Sequence, residues 1–410
     1  MTKFSGAIAF QQVWCCTSPG RSAALFLGYG KGKRCLGTFS GSWLKGDQRL
    51  PVSLRQDEIN ITGMKVKRAG SAVRFIDGFQ RAALQSGGRV GVGVGVRVPT
   101  EDEIYGSDLQ GFAQRVAACN EGRERKVEFL PFMVGKDTLG YIHCGFAQHL
   151  KRFPEVFSVE GLEAYSDGAR RALAAGRVSF VQSLSSPQQR TAAVQGVLEA
   201  LKIEGLIPGW RDELQPVTLS YGASPFLLME RAAFPVFGAK SYGVHINGYV
   251  NIDGEKYLWV AKRSDRKQTF PGMLDHIVAG GQPEGISAKD NVIKECDEEA
   301  AIPLHLAKKA VAVGAVSYEY VMENNTSKRD VLFCYDLELP RDFEPYNKDS
   351  EVQSFVRLPI SEVASIIRKT ERYKPNCALV VIDFLIRHGY ITPEQKGYLS
   401  LLQSLRIGEL

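Results

Sequence analysis

The residues in this chain best placed to do chemistry are Lys294-Glu295-Cys296-Asp297-Glu298-Glu299, in its C-terminal half. Ser287 followed three residues later by Asp290 is a capping-box signal, so the spacing predicts a helix beginning near Ala288, and Pro303 stops it. On that helix Glu295, Glu298 and Glu299 fall at i, i+3 and i+4, so their carboxylates share one face. Val292, Ile293, Cys296 and Ala300 supply an apolar stripe elsewhere on it. Three carboxylates on one face repel each other unless a cation or a basic group compensates. A solvated acidic surface is the plain alternative. The paired glycines Gly280-Gly281 ahead of the cap, and the apolar anchor behind it, favour a site.

The stretch from Gly280 to Pro303, GGQPEGISAKDNVIKECDEEAAIP, resembles the Nudix box, G-x5-E-x7-R-E-U-x-E-E-x-G-U with U apolar. That box is a loop–helix–loop that holds Mg2+ for hydrolysis of diphosphates linked to a second moiety. The alignment sets Gly280 on the first glycine and puts Glu295, Glu298 and Glu299 on the family's catalytic and metal-binding glutamates. Three positions depart: Ile286 replaces the first glutamate, Lys294 the arginine and Ala301 the last glycine. Lysine lacks the bidentate fork of arginine. Alanine held at positive φ costs ~1 kcal/mol or more.

Diphosphate cleavage has a physical use for such a helix. A divalent metal neutralises the phosphate charge, polarises phosphorus and lowers the pKa of bound water. Mg2+ takes oxygen ligands at ~2.0–2.1 Å and keeps several waters. Glu298 and Glu299 are the expected metal ligands, and Glu295 either joins them or acts as base on the attacking water. Mg2+ is the expected cofactor, with Mn2+ able to substitute. The main chain of Gly280-Gly281 can approach metal or phosphate because no side chain blocks it. Glu319 and Glu351 are further candidate bases, with ordinary surface carboxylates the plainer reading of each.

The elements that must position these groups follow from the rest of the chain. With 410 residues there is room for two or three domains, and 44% hydrophobic with 23% charged residues is a globular composition. No apolar run reaches the ~18 residues of a spanning helix. Eight scattered cysteines, without C-x-x-C or zinc-type spacing, read as free thiols. The net charge of +6 is uneven: residues 1–46 hold no Asp or Glu but carry Lys3, Arg21, Lys31, Lys33, Arg34 and Lys45. A basic, hydroxyl-rich, acid-free segment has the composition of an organelle transit peptide, for chloroplast or mitochondrion; a cytoplasmic protein with a basic tail is the alternative. The Gly/Val alternation from Gly88 to Val96 reads as linker and lacks a phosphate-loop pattern. No nucleic-acid-reading module is apparent.

From Leu109 onward helix and hairpin signals alternate, predicting a small α+β domain. Phe112, Val116 and Cys119 recur at helical spacing; Val127–Ile142 is two apolar runs broken at Gly135-Lys136-Asp137; Phe146 to Phe157 reads as a short helix; Arg190–Leu201 is an amphipathic helix. Further on, Tyr242–Ile252 and Tyr257–Lys262 flank the turn Asp253-Gly254, Val311–Tyr320 and Val331–Leu339 flank a polar loop at 322–329, and Ile360–Arg368 and Cys377–Ile386 read as helices.

This whole region is similar to one eukaryotic Nudix subfamily, labelled thiamine pyrophosphokinase-related or DUF4743-containing. The phrases that carry the likeness include LPFMVGKDTLGYI, RTAAVQGVLEALKIEGLIPGWRDELQPV, FPGMLDHIVAGGQPEGIS and KPNCALVVIDFLIRHGYI, and it spans roughly residues 108 to 395. Lys294 and the Gly-Gly loop are habits of that subfamily. The resemblance implies an α/β/α Nudix sandwich with a mixed sheet over 236–395, preceded by an α+β domain over 106–235. Residues 1–105 form an extension and 396–410 a tail. It implies hydrolysis of thiamine diphosphate, or its oxidised or damaged analogues, to the monophosphate plus phosphate. The alternatives are a thiamine pyrophosphokinase-like transferase and a non-catalytic Nudix-fold binding protein. The expected partner is a small diphosphate, not nucleic acid or membrane.

Substrate contacts are expected from basic groups near the box. Arg263 and Lys267, in the cluster Lys262, Arg263, Arg266 and Lys267, are candidates, with Gly280, Gly281 and Lys294. Phe270, Trp259, Tyr318 and Tyr320 are expected near the pocket wall, most of them as core. His245 and His276 lie in or beside apolar strand runs and read as packed, hydrogen-bonded histidines rather than ligands.

Overall fold

A computed structural model of the chain describes residues 108–162, 176–348 and 351–408, with two further two-residue strands, Phe26–Leu27 and Arg34–Cys35, paired antiparallel. The basic segment 1–46, those strands aside, and the Gly/Val alternation at 88–96 lie outside the described residues. The chain divides into two units, Met1–Gly93 and Val94–Leu410. The second contains everything below.

Its first half builds a four-stranded sheet. Helix α1 (Gln110–Ala118) buries Phe112 and Val116. Strands β1 (Phe129–Val134) and β2 (Asp137–His143) form the expected hairpin, turning at Gly135 with φ 61°. Helix α2 (Cys144–Leu150) stops before the predicted span ends, and Phe157 opens β3 (Phe157–Glu160) instead. The reason is tertiary: Phe157 pairs across to Phe180 of β4 (Arg177–Phe180) and packs against Phe132 and Phe237. The sheet order is β2-β1-β4-β3, with β1 and β4 parallel. Helix α3 (Pro187–Ile203) starts at a complete capping box, Ser186 with Gln189. A two-stranded hairpin, β5 (Leu214–Val217) and β6 (Leu227–Glu230), then leads towards the second half.

That half is a seven-stranded mixed sheet between helices. Its strands are β7 (Lys240–Ile252), β8 (Glu255–Arg263), β9 (Leu274–His276), β10 (Val278–Gly281), β11 (Val311–Val321), β12 (Ser327–Glu338) and β13 (Val352–Pro359). They run β9-β8-β7-β12-β11, with β10 also on β7 and β13 also on β8; only β7 and β12 pair in parallel. The β7–β8 turn has φ 53° at Asp253 and 91° at Gly254, the two positive angles a tight hairpin of this twist needs. The β11–β12 loop is shorter than its polar sequence suggests, because Ser327 and Arg329 are buried in the strand.

Central strand β7 is covered on both faces, so its side chains divide by parity. Val244, Ile246 and Val250 pack with Val292, Cys296 and Ala300 of helix α4 (Ala288–Ala300). His245 and Asn247 point to the opposite layer, built from α5 (Ile360–Lys369) and α6 (Pro375–Arg387). This is the expected α/β/α sandwich. Residues expected as a C-terminal tail include a helix, α7 (Tyr398–Ser404), that buries Leu401, and Ser317 Oγ donates to Gly408 O at 2.8 Å beyond it.

Asp336 on β12 ties the sheet to α6, accepting from Arg387 at 2.5 and 3.0 Å, His388 Nε2 at 2.9 Å and Asn247 Nδ2 at 3.1 Å. Burial alone would raise its pKa, but His388 and Arg387 outweigh burial and hold it below the ordinary 3.8. Its stabilisation is therefore present above pH 3.8 and is lost as the pH falls through the lowered folded value. Asp336→Asn should cost about 3 kcal/mol at neutral pH, with the gap to wild type narrowing under acid conditions. Thermal unfolding of both proteins between neutral and acid pH measures this, and a pH-independent gap would contradict it.

Candidate active site

Helix α4 begins at Ala288, as its cap signal requires. Ser287 Oγ accepts from Asp290 N at 3.1 Å and donates to Asp290 Oδ2 at 2.7 Å, so one half of the box forms and a side-chain pair replaces the other. Tyr221 adds a cap from the preceding half of the chain, its hydroxyl accepting from Ala288 N at 3.0 Å. At the other end Ala301 takes the left-handed conformation, φ 50° and ψ 34°, and Ile302 N reaches back to Cys296 O at 2.9 Å. This is the glycine-type cap, closed here by an alanine under strain.

Glu295 and Glu299 converge on the edge of β10. Glu299 Oε2 accepts from Ala279 N at 2.8 Å, and Glu295 lies so close to Gly280 that a Cβ there would sit 2.2 Å from its carboxyl carbon. Gly280 is thus required by close approach rather than by φ. Glu298 is exposed beside them. Lys294 Nζ bridges two of the carboxylates, at 3.2 Å to Glu295 Oε1 and 2.7 Å to Glu298 Oε2. Burial raises Glu295, partly offset by Lys294. Burial also pushes Glu299 well above the usual carboxylate range, and Glu295, Asp275 and Glu351 add repulsion.

This donor set fits a hard divalent cation. All its atoms are oxygens, a positive charge already sits between Glu295 and Glu298, and Glu299 has only one neutral donor against three negative neighbours. The loop ahead of the helix is fixed by Asn291, which donates to Gly281 O at 2.8 Å, and by Gln282, which donates to Ile286 O at 2.7 Å.

Other expected site residues lie differently. Arg263 is turned to structure: it donates to Asp275 Oδ2 at 2.7 Å, Phe270 O at 3.0 Å and Thr269 O at 2.9 Å. Lys267 pairs with Glu351 at 2.5 Å, and Glu351 is the candidate base whose charge bears on Glu299. Glu319 is neither base nor surface group, but sits 3% exposed in an ion cluster with Lys126, Arg123 and Arg329. Trp259 and Tyr318 are core; Phe270 is exposed.

Sequence reasoning missed Arg231. Its guanidinium packs on Gly281, within 3.1–3.4 Å of where a Cβ would stand, and its charge lowers Glu295. Arg231 Nη1 pairs with Glu213 Oε2 at 2.9 Å. The turn that carries it is organised by buried Glu230, which accepts from the main-chain N–H groups of Arg211, Glu213 and Ala232. Nothing local in the sequence signals that Arg231 meets a glycine fifty residues on.

The family described as "Domain of unknown function (DUF4743)" matches residues 111–241. Over 304 residues the chain is 50% identical to "Nudix hydrolase 20, chloroplastic" of Arabidopsis thaliana, covering 74% of this chain and 80% of that one. The chain belongs to the Nudix hydrolases. It is 49% identical to "Nudix hydrolase 24, chloroplastic" of the same plant, with the same coverage of both chains. Among solved structures, the NUDIX domain of Shewanella oneidensis NrtR complexed with ADP ribose is similar at 17% identity, over 33% of this chain and 86% of that one, with a TM-score of 0.26. Nudix hydrolases generally use divalent metal ions, which agrees with the all-oxygen donor set here.

Gly280→Ala tests the close approach. Glu295 must swing away from the new methyl group, and a displacement near 1 Å costs on the order of 100-fold in rate. A fall of at least about tenfold in kcat/KM, with the melting temperature nearly unchanged, is expected; unchanged kinetics would show that Glu295 needs no such approach.

Proposed function

We propose that this Nudix hydrolase is a Mg2+-dependent diphosphatase acting on a small diphosphate, with thiamine diphosphate and its oxidised or damaged analogues as the substrate class. One observation carries the reading: Glu299 and Glu295 lie against the main chain of Ala279 and Gly280, and Lys294 ties the exposed Glu298 of the same helix face to Glu295. The thiamine assignment rests on the subfamily resemblance of the flanking segments. Water adds to the terminal phosphorus, the bridging P–O bond breaks, and the products are the monophosphate and inorganic phosphate.

Glu298 and Glu299 hold the cation, with Glu295 joining them or taking the proton of the attacking water. When bound, Mg2+ supplies charge neutralisation and a more acidic water. Burial raises Glu295 and so makes it a stronger proton acceptor. Lys294 keeps Glu295 and Glu298 together at 3.2 and 2.7 Å. Arg231, facing Gly281, is the basic group best placed for substrate phosphate, so the 106–235 domain completes the site of the 236–395 domain. With their chloroplastic names, the plant relatives support a chloroplast location for this chain, in agreement with its acid-free N-terminal segment.

Phosphate release measured with and without Mg2+ should fall on the order of 100-fold or more in Glu298→Gln. Equal background release from both proteins, despite tight ligand binding, would leave a binding protein instead. A screen of intact and oxidised thiamine diphosphates against nucleotide and sugar diphosphates, with products identified by phosphorus NMR, checks the substrate; preference for a nucleotide would overturn it and leave the mechanism standing. Arg231→Ala should raise KM by about tenfold with a smaller change in kcat. An unaltered KM would remove Arg231 from the site.

A further inference from the structure

On the face of the sheet opposite α4, three side chains from three elements point at one another. His245 on β7, His276 on β9 and Cys377 on α6 are all buried, and one ligand atom of each lies within 4.8 Å of the others. His245 Nδ1 and His276 Nδ1 are 3.5 Å apart, and Cys377 Sγ is 3.8 Å from His245 Nδ1. A tetrahedral zinc ion, with Zn–N near 2.0–2.1 Å and Zn–S near 2.3 Å, separates two nitrogen ligands by about 3.3 Å and nitrogen from sulfur by about 3.6 Å. The His245–His276 and His245–Cys377 edges match that polyhedron within a few tenths of an ångström, and the third edge, His276 to Cys377, lies within 4.8 Å.

The surrounding hydrogen bonds leave His276 Nδ1 as an acceptor. Asp336, which only accepts, takes Asn247 Nδ2 at 3.1 Å, so Asn247 Oδ1 faces His276 Nε2 at 3.1 Å. That assigns the ring proton of His276 to Nε2 and leaves Nδ1 as a bare lone pair aimed into the cluster. A fourth donor is Asp275 Oδ1, 4.0 Å from His276 Nδ1: it accepts from His276 N at 2.8 Å and from the Cys377 thiol at 2.7 Å, and loss of the thiol proton on metal binding releases the second of these bonds. Its other oxygen is fixed by Arg263 at 2.7 Å and Lys374 at 3.1 Å.

We propose that His245, His276 and Cys377, completed by Asp275, form a second metal site for a borderline-soft transition ion of the Zn2+ class. Two nitrogens and a sulfur select against Mg2+, which prefers oxygen, so the site is chemically distinct from the glutamates on α4. Binding converts the Cys377 thiol to thiolate and releases its proton to solvent. With four protein ligands the site has no open position, and its role is structural. It staples β7 and α6 to β9, four residues ahead of Gly280. The carboxylates that act on the two histidines are Asp275, already paired, and Asp336.

Full-length protein produced in cobalt-supplemented medium and washed with EDTA tests this. About one cobalt ion per chain should remain, with a thiolate-to-cobalt charge-transfer band and the strong d–d absorption of four-coordinate Co2+. Glu298→Gln and Glu299→Gln should keep both signals, while Cys377→Ser loses the charge-transfer band and His276→Gln retains at least about tenfold less cobalt. If either of the last two variants fails to fold by circular dichroism, the wild-type spectrum decides. Folded wild-type protein that retains no cobalt, or retains it without a sulfur band, overturns the proposal, as does an unchanged band in Cys377→Ser.

Discussion

Mutual repulsion among Glu295, Glu298 and Glu299 is the constraint around which the C-terminal unit is arranged. Two carboxylates about 5 Å apart near a protein surface repel by on the order of 3 kcal/mol. They also occupy the last turns of α4, where the helix dipole is negative and disfavours anions. Lys294 offsets part of this between Glu295 and Glu298, but the face still opposes the helix. It persists because α4 is anchored elsewhere: Val292, Cys296 and Ala300 are buried against β7, Ser287 and Tyr221 cap one end, and Ala301 closes the other at a conformational cost. The apolar side of the helix supplies its stability, and the other side carries the carboxylates.

Strand β7 transmits that division through the whole domain. Its even-numbered residues support the acidic helix, and its odd-numbered residues His245 and Asn247 enter a polar layer under α6. Buried polar groups are stable only when each has a partner, and this layer supplies them in a chain: Asn247 to Asp336, Asp336 to Arg387, Arg387 to Asp383, Asp383 to Arg406. The acidic helix and the buried polar network therefore lie on opposite faces of one strand. A one-residue register slip in β7 would exchange the two faces and ruin both.

Much of this was legible before any coordinates, wherever the determining physics is local. The Asp253-Gly254 turn, the Ser287 cap, α3, α6 and the E-x-x-E-E spacing all follow from interactions within a few residues. What could not be read depends on contacts far along the chain. Phe157 looks like the end of a helix until Phe180 and Phe237 are beside it. Arg263 looks like a phosphate ligand until Asp275 and two carbonyls consume its donors. Glu319 looks like a surface acid until Lys126, almost two hundred residues earlier, neutralises it. The two histidines read correctly as buried, but their convergence with Cys377 needs three elements that only the fold assembles.

The same distance effect bears on what the preceding domain is for. Its helix α1 lies on the helices of the sandwich, its Tyr221 meets the first turn of α4, and its Arg231 meets Gly281. These contacts touch the two ends of the loop that leads into the glutamates. Tyr221 also packs at 4.6 Å against Phe333 and at 5.3 Å against Tyr242, so the cap is held by an aromatic cluster rather than by one hydrogen bond. A box helix under internal repulsion gains most from supports at its N-terminal loop, because its C-terminal end is already strained at Ala301. On that argument the preceding domain helps keep the acidic face ordered, and its Arg231 brings a positive charge to Gly281, near enough to act on Glu295.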